Sequence, residues 1–261
     1  TPPVFEWIRN VDPAMFEEIK QRVKEGRWEL AEGWWVQPDC YSASGESYVR
    51  QGLYGQKYLL ETFGKKSCTV FNVDSFGHSP MLPQILRKSG IEFYCLMRPE
   101  TRHIPLKQPL FRWQSADGSE VLAYRYNAAW SKDLESAQAK QEAGTQDAMM
   151  IFGITDHGGA PTKKMLSHID SCADTHYSTV EGFFRAHGDC EYEVNQELIT
   201  GDFGPYANHP EIKKRNRLAE YAVMNAERAS LIAGSYDREK LEKCWRDILF
   251  NQFHDILGGA S

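Results

Sequence analysis

Short apolar runs alternate with longer amphipathic stretches along most of the chain, up to about residue 204. The runs are rich in β-branched and aromatic residues and end at turn-forming residues, which is typical of strands. The predicted strands lie at 28–30, 68–73, 92–96, 111–114, 121–126 and 149–152. The predicted helices lie at 12–26, 44–63, 80–89 and 162–175. This alternation predicts a largely parallel sheet with helical crossovers, and the turn pair Asp117-Gly118 predicts one hairpin within it.

The pattern changes near residue 205, after which only helical periodicity is seen. Helices are predicted at 209–233 and at about 237–253. In the first of these helices, the alanines at 219, 222, 226, 229 and 233 share one face, which predicts close helix packing. We therefore expect an α/β unit over 1–204 and the start of a helical module over 205–261.

Composition and charge exclude several classes of protein. The 261 residues carry a net charge of −6, which argues against a nucleic-acid partner because such proteins present a basic face. No apolar run approaches the roughly 20 residues that cross a bilayer, so no membrane partner is expected. The six cysteines are scattered and no Asn-x-Ser/Thr sequon occurs, which together predict a reducing, cytoplasmic setting.

Candidate chemistry is concentrated at three points where an acid or a histidine stands beside a turn. Asp74 follows the strand at 68–73, where the carboxyl end of a buried strand faces the loops that carry function in α/β proteins. Asp156 follows the strand at 149–152, and His254-Asp255 follows the last helix. Taken singly, each has a structural alternative: a helix cap for Asp74, a tight turn for Asp156 and a core or capping role for His254.

Taken together, these points resemble one family. Val-Asp-Ser-Phe-Gly-His-Ser-Pro at 73–80 is similar to the nucleophile segment of glycoside hydrolase family 38, the retaining α-mannosidases. Further segments resemble the family in chain order, and the resemblance is to its bacterial type. They are Trp-Val-Gln-Pro-Asp at 35–39, Ser-Gly-Glu-Ser at 44–47, Arg-Gln at 50–51, Asp-His-Gly-Gly-Ala-Pro-Thr at 156–162, Glu-Ile-Lys at 211–213, Asn-Arg at 216–217 and Asn-Gln-Phe-His-Asp-Ile-Leu at 251–257.

The resemblance implies a fold and a reaction. The fold would be a distorted (β/α)7-type barrel, here incomplete, followed by the start of a three-helix bundle. The reaction would be hydrolysis of terminal α-mannosidic linkages with retention, through a covalent mannosyl-enzyme on Asp74. Retaining glycosidases need a second carboxyl group about 5–5.5 Å away as acid/base. Asp156 fits that role by position, and His157 beside it stays open as an alternative.

The same resemblance implies a catalytic zinc ion bound by Asp74 and His254. Its two further ligands would be a His-x-Asp upstream of Thr1, since no His-x-Asp that could serve occurs in the chain. We therefore expect a fragment that lacks the first barrel strand and the C-terminal β-domains, binds zinc weakly or not at all alone, and is inactive alone. The resemblance also implies residues that contact substrate: Phe76, Arg98, Tyr126, Tyr206 and Asp255.

The sequence can be compared with three alternatives to an oligosaccharide α-mannosidase. A hydrolase of a small mannosyl conjugate, such as a mannosylglycerate, would use the same residues. A metal-dependent carbohydrate deacetylase would need an early Asp-Asp pair and a His-x-x-x-His pair, and neither occurs. A non-catalytic sugar-binding relic would have no need of Asp74, Asp156 and His254 together. The pattern leaves the oligomeric state open, a homo-oligomer included.

Overall fold

The computed structural model describes residues 1–126, 147–151, 153, 160–201 and 203–259. The helices are α1 Pro2–Val11, α2 Pro13–Lys24, α3 Gly45–Phe63, α4 Leu82–Lys88, α5 Lys163–Ser171, α6 Val180–Ala186, α7 Gly204–Ala207, α8 Pro210–Ile232, α9 Arg238–Phe250 and α10 His254–Gly258. The strands are β1 Thr69–Phe71, β2 Gly77–His78, β3 Phe93–Leu96, β4 Leu110–Gln114, β5 Glu120–Arg125, β6 Glu193–Val194 and β7 Leu198–Ile199.

Five of these strands form a mixed sheet in the order β1-β3-β5-β4-β6. The first three are mutually parallel, with Thr69 opposite Phe93 and Phe93 opposite Leu122. β4 runs antiparallel to β5 and closes the predicted hairpin, where Gly118 takes the positive φ of 82° that the turn requires. The α/β class is confirmed. The strands that the structure describes make an open sheet, so closure into a barrel stays a prediction.

Two predicted strands are not formed in the described residues, and side chains account for both. At 28–30, the Glu29 carboxylate accepts hydrogen bonds from the backbone N–H groups of Val180 and Glu181, both at 2.7 Å, and so caps α6. At 149–151, the backbone bonds to tyrosines rather than to a strand. Met149 N donates to the Tyr124 hydroxyl.

The predicted helices agree with the structure to within a few residues, but one face was assigned wrongly. Ala222, Ala226 and Ala229 on α8, and Ala233 directly after it, are exposed. The buried side chains of this helix are Glu220 and Val223. The packed face of α8 is thus the one that carries Glu220 and Val223, not the alanine face. A buried carboxylate such as that of Glu220 is stable only when it is paired with hydrogen-bond donors.

The main hydrophobic core lies between the sheet and the helices α3 and α4. Trp34, Tyr94 and Trp113 are its largest members, and each is fully buried. Trp34 packs on Tyr48 and Tyr94, as expected of a core residue. A second cluster holds α1, α2, α3, α8 and α9 together around Trp245. In the described part of the chain, no helix combines the length and the apolar character that crossing a bilayer requires.

Candidate active site

An ion pair between Asp74 and Arg98 lies at the carboxyl edge of the parallel strands. Asp74 follows β1, and Arg98 follows the neighbouring strand β3. Val73 O accepts hydrogen bonds from the backbone N–H groups of Met97 and Arg98, which extends this alignment beyond the strands. Arg98 Nε then lies 2.6 Å from Asp74 Oδ1, and both side chains are about one-quarter exposed. The arginine orients the carboxylate through a charge-assisted hydrogen bond.

Phe76 connects this ion pair to His254. The Arg98 guanidinium lies 5.9 Å from the centre of the Phe76 ring. The same Phe76 ring also packs edge to face on the His254 imidazole, with the ring centres 6.3 Å apart. The structure thus brings together four of the predicted site residues, Asp74, Phe76, Arg98 and His254, although 180 positions separate the first from the last.

His254 is held in one orientation by the loop that precedes α3. It is the first residue of α10, and both its backbone N–H and its Nδ1 bond to Gln37 O, at 3.2 and 3.0 Å. A carbonyl oxygen only accepts, so Nδ1 carries a hydrogen, and in the neutral imidazole the lone pair is then on Nε2. A histidine that donates from one ring nitrogen to a carbonyl is the arrangement seen at metal sites, where the other nitrogen is the ligand.

Asp39 is a site residue to which the sequence analysis gave no role. Its carboxylate is buried, and Oδ1 accepts from the backbone N–H groups of Tyr41 and Ser42 at 3.0 and 2.6 Å. Oδ2 is buried without a hydrogen-bond partner among the described residues. Burial raises the pKa of Asp39, and the hydrogen bonds from Ser42 and Tyr41 and, less strongly, the nearby His254 oppose that rise. The segment at 35–39 contains Asp39, but its burial is visible only in the structure, and Asp is almost never fully buried unless it is paired.

Tyr206 approaches the segment at 73–80 from α7. A Cβ on Gly77 would stand 2.7 Å from its hydroxyl, so a side chain at position 77 would force the Tyr206 ring to shift. The hydroxyl is buried without a partner in the described part of the protein, and burial raises the pKa of Tyr206. The ring packs on Tyr41, with centres 5.3 Å apart. Asp255, half-buried in the first turn of α10, follows His254 directly.

Tyr126 is placed differently from the group around Asp74. It lies in the apolar cluster with Met97 and Phe184, and its hydroxyl donates to Ile151 O. Burial raises the pKa of Tyr126 to about 12. The hydroxyl therefore holds the backbone just ahead of the Asp156 segment. Asp156 and His157 themselves lie outside the described residues.

The donor set suits zinc but is only a part of a site. Asp74 supplies carboxylate oxygen and His254 supplies imidazole nitrogen, two of the ligand types that zinc prefers. Among the residues that the structure describes, no group of three or more His, Cys, Asp or Glu side chains is arranged so that it could hold a metal ion. A cavity of about 380 Å³ lies elsewhere, beside Phe93 at the amino ends of the parallel strands. Arginines and glutamates alternate around it, so it offers no single charge to a ligand.

Comparison with known proteins adds two family matches. The model described as "Glycosyl hydrolases family 38 N-terminal domain" matches residues 1–209. The model described as "Alpha mannosidase middle domain" matches residues 203–261.

Curated relatives and solved structures agree with these matches. Alpha-mannosidase G of Dictyostelium discoideum is 31% identical over 98% of this chain and 26% of its own length. Human alpha-mannosidase 2C1 is 29% identical over 98% of this chain and 27% of its length. The chain thus spans about a quarter of the length of these relatives.

Two solved structures share the fold. An alpha-mannosidase from Enterococcus faecalis V583 superimposes with a TM-score of 0.79 at 18% identity, over 97% of this chain and 33% of that one. A 4-alpha-glucanotransferase from Thermococcus litoralis superimposes with a TM-score of 0.63 at 12% identity, over 92% of this chain and 40% of that one.

Proposed function

This chain belongs to glycoside hydrolase family 38, and on that premise we propose that it carries the nucleophile of an enzyme hydrolysing terminal α-mannosidic linkages with retention. The observation that carries the proposal is the ion pair at the carboxyl edge of the sheet. Arg98 Nε holds Asp74 Oδ1 at 2.6 Å and leaves the second carboxylate oxygen for the sugar. The side chain is partly exposed, which a nucleophile needs and a buried cap does not.

The reaction proceeds in two displacements. Asp74 attacks the anomeric carbon as the glycosidic C–O bond breaks, and the acid, Asp156 or His157, protonates the departing oxygen. The deprotonated acid then takes a proton from water, whose oxygen attacks the anomeric carbon and releases Asp74 and mannose. Arg98 orients the Asp74 carboxylate for its attack in the first displacement and pairs with it again when the second displacement releases it.

We propose that Asp74 and His254 would hold a zinc ion, with a His-x-Asp outside this chain as the further ligands. Bound there, zinc would hold neighbouring hydroxyls of the mannose and stabilise a distorted ring. The Nδ1–H bond from His254 to Gln37 O supports this role because it leaves Nε2 as a ligand. Phe76, Tyr206 and Asp255 would line the sugar site around this ion.

The proposed organisation follows the predicted division. Residues 1–204 would form the catalytic α/β unit, with the helical module starting at 205. The substrate would be an α-mannoside oligosaccharide or a small mannosyl conjugate, and we propose a cytoplasmic setting.

The test uses the full-length enzyme and the nitrophenyl α-mannoside. We expect nitrophenol release that a chelator abolishes and zinc restores. Asp74→Asn should lower kcat by at least about 10³-fold, because the nucleophile is lost, whereas Asp189→Asn, at an exposed carboxylate, should leave it unchanged. A fluorinated mannosyl donor should label Asp74, which mass spectrometry locates. Activity indifferent to chelation would contradict the zinc role, and inversion of the released mannose would contradict the covalent step.

Asp156→Ala distinguishes the two candidates for the acid. If Asp156 is the acid, the variant should lose far more activity on an alkyl mannoside than on a nitrophenyl mannoside, whose leaving group needs little protonation. Equal losses on both substrates would move the role to His157, and His157→Ala is the matched variant.

A further inference from the structure

Three separated sequence segments meet at one buried carboxylate, that of Glu220 on α8. Glu220 is fully buried. Its Oε1 accepts from Ser44 N at 2.9 Å, from Ser47 Oγ at 2.6 Å and from Gln252 Nε2 at 3.0 Å, and its Oε2 accepts from Arg217 at 2.6 Å. Ser44 and Ser47 begin α3, Arg217 lies on α8, and Gln252 lies in the turn before α10.

Gln252 transmits this anchor to His254. Its side-chain amide also donates to Ser47 Oγ and to Asn216 Oδ1, each at 3.0 Å, so its place is fixed from both α3 and α8. Its backbone oxygen accepts from Asp39 N at 2.8 Å. Two residues later, His254 binds the same loop, since its backbone N–H and its Nδ1–H both donate to Gln37 O. The turn that presents His254 is thus tied to the loop on one side and to Glu220 on the other.

We propose that Glu220 is a positioning residue for His254, through which the helical module sets the imidazole at the sugar and metal site. The assignment rests on the metal role proposed for His254. It accounts for the Asn216-Arg217 segment and for Ser44–Ser47, which no step of the reaction uses.

A neighbouring carboxylate shows why simple packing does not explain Glu220. Glu227, two turns along α8, also joins α8 to α3, through Arg50 at 3.0 Å, and accepts from Trp245 Nε1 at 2.9 Å. Those partners stay within the helices and do not reach the turn before α10. Replacing a buried ion pair by apolar residues is often neutral for stability, so a fully satisfied buried carboxylate suits a role in fixing geometry.

The test compares Glu220→Gln with Glu227→Gln in the full-length enzyme, with zinc as the probe. Loss of support behind a metal ligand typically weakens metal binding 10- to 100-fold, so we expect Glu220→Gln to raise the zinc Kd at least about tenfold. Hydrogen–deuterium exchange of the 251–257 peptide, measured without zinc, should be faster in the same variant. Glu227→Gln should lower Tm but leave the zinc Kd and this exchange rate within twofold of wild type.

The two readouts separate this assignment from the proposed function. Equal zinc Kd and equal exchange in the two variants would overturn the assignment while the zinc mechanism stands. Wild-type enzyme that binds no zinc would overturn the proposed function, and faster exchange in Glu220→Gln alone would still support positioning of His254. If Glu220→Gln does not fold, Ser47→Ala removes one hydroxyl from the same network and should shift both readouts in the same direction by a smaller factor.

Discussion

Arg98 and Asp74 are 24 positions apart in the chain, yet Arg98 Nε lies 2.6 Å from Asp74 Oδ1. The contact follows from topology, since each residue comes just after one of two adjacent parallel strands. Because the carboxyl ends of parallel strands meet at one edge, the ion pair needs no long loop to form. Its partial exposure leaves it in reach of a substrate.

Arg98→Lys should therefore impair catalysis more than folding. Lysine keeps the charge but loses the planar donor that fixes the carboxylate, and a charge-assisted hydrogen bond contributes about 1.5–3 kcal/mol. We expect kcat/KM on the nitrophenyl α-mannoside to fall roughly 10- to 100-fold. Arg112→Lys is the control, because Arg112 pairs with Glu120 on the hairpin. Equal kcat/KM in wild type and Arg98→Lys would show that the pair does not orient Asp74.

His78 should make the protein less stable as pH falls. It is fully buried, its Nε2–H donates to Arg98 O at 2.9 Å, and its Nδ1 accepts from the Tyr94 hydroxyl at 2.8 Å. Burial lowers the pKa of His78 from 6.5 to about 3. Between pH 6.5 and pH 3, His78 is therefore protonated in the unfolded chain but neutral in the folded chain. Protonation of the unfolded chain lowers the free energy of unfolding progressively as pH falls from 6.5 toward 3.

The measurement is urea unfolding at pH 7.5 and pH 5.0. The share of His78 in the loss of unfolding free energy between these values is about 2 kcal/mol. His78→Gln keeps an amide donor for Arg98 O but does not titrate. Between pH 7.5 and pH 5.0, its free energy of unfolding should therefore fall by about 2 kcal/mol less than that of wild type. His187 should have the opposite effect on the pH dependence of stability, because its hydrogen bond to Phe183 O raises its pKa. An identical pH dependence in wild type and His78→Gln would contradict the assignment.

Thiol labelling should distinguish the cysteines by burial. All six are free, as their scattered spacing predicted. Cys40 and Cys95 are fully buried, and burial raises the pKa of both thiols, whereas Cys244 is exposed on α9. At pH 8, iodoacetamide should modify Cys244 at least about 100-fold faster than Cys40, because only an accessible thiolate reacts. Mass spectrometry of the digested protein reads the order, and early labelling of Cys40 would show that the core around Tyr94 opens.

Local sequence predicted the positions of site residues much better than the contacts that hold them. The strand and turn pattern places Asp74 at the correct edge, because strand propensity and the turn residues after it act within a few positions. The anchoring of His254 depends on Glu220, Gln252 and Ser47, which meet across separations of 32 to 205 positions. Nothing in the periodicity of α8 marks Glu220 as buried. The periodicity therefore predicted that the alanine face packs, which is wrong.

The hydroxyl of Tyr206, which has no hydrogen-bond partner among the described residues, gives the last prediction. A buried hydroxyl without a hydrogen bond destabilises a fold, so Tyr206→Phe should leave the free energy of unfolding unchanged or raise it by up to about 1 kcal/mol. If the hydroxyl binds the sugar, KM should rise roughly 3- to 10-fold in the same variant. Gly77→Ala puts a methyl group 2.7 Å from this hydroxyl and 3.1 Å from Ile199 Cγ1, and should cost about 1–3 kcal/mol.

The double variant Gly77→Ala/Tyr206→Phe tests whether these effects share one contact. Removing the hydroxyl gives the new methyl group room, so the double variant should recover part of the stability that Gly77→Ala loses. Its KM should stay as high as in Tyr206→Phe, because the sugar contact is still absent. Stability effects that simply add would mean that Gly77 is required by Ile199 instead. An unchanged KM in Tyr206→Phe would show that the hydroxyl does not bind the sugar, since only the hydroxyl is lost in that variant.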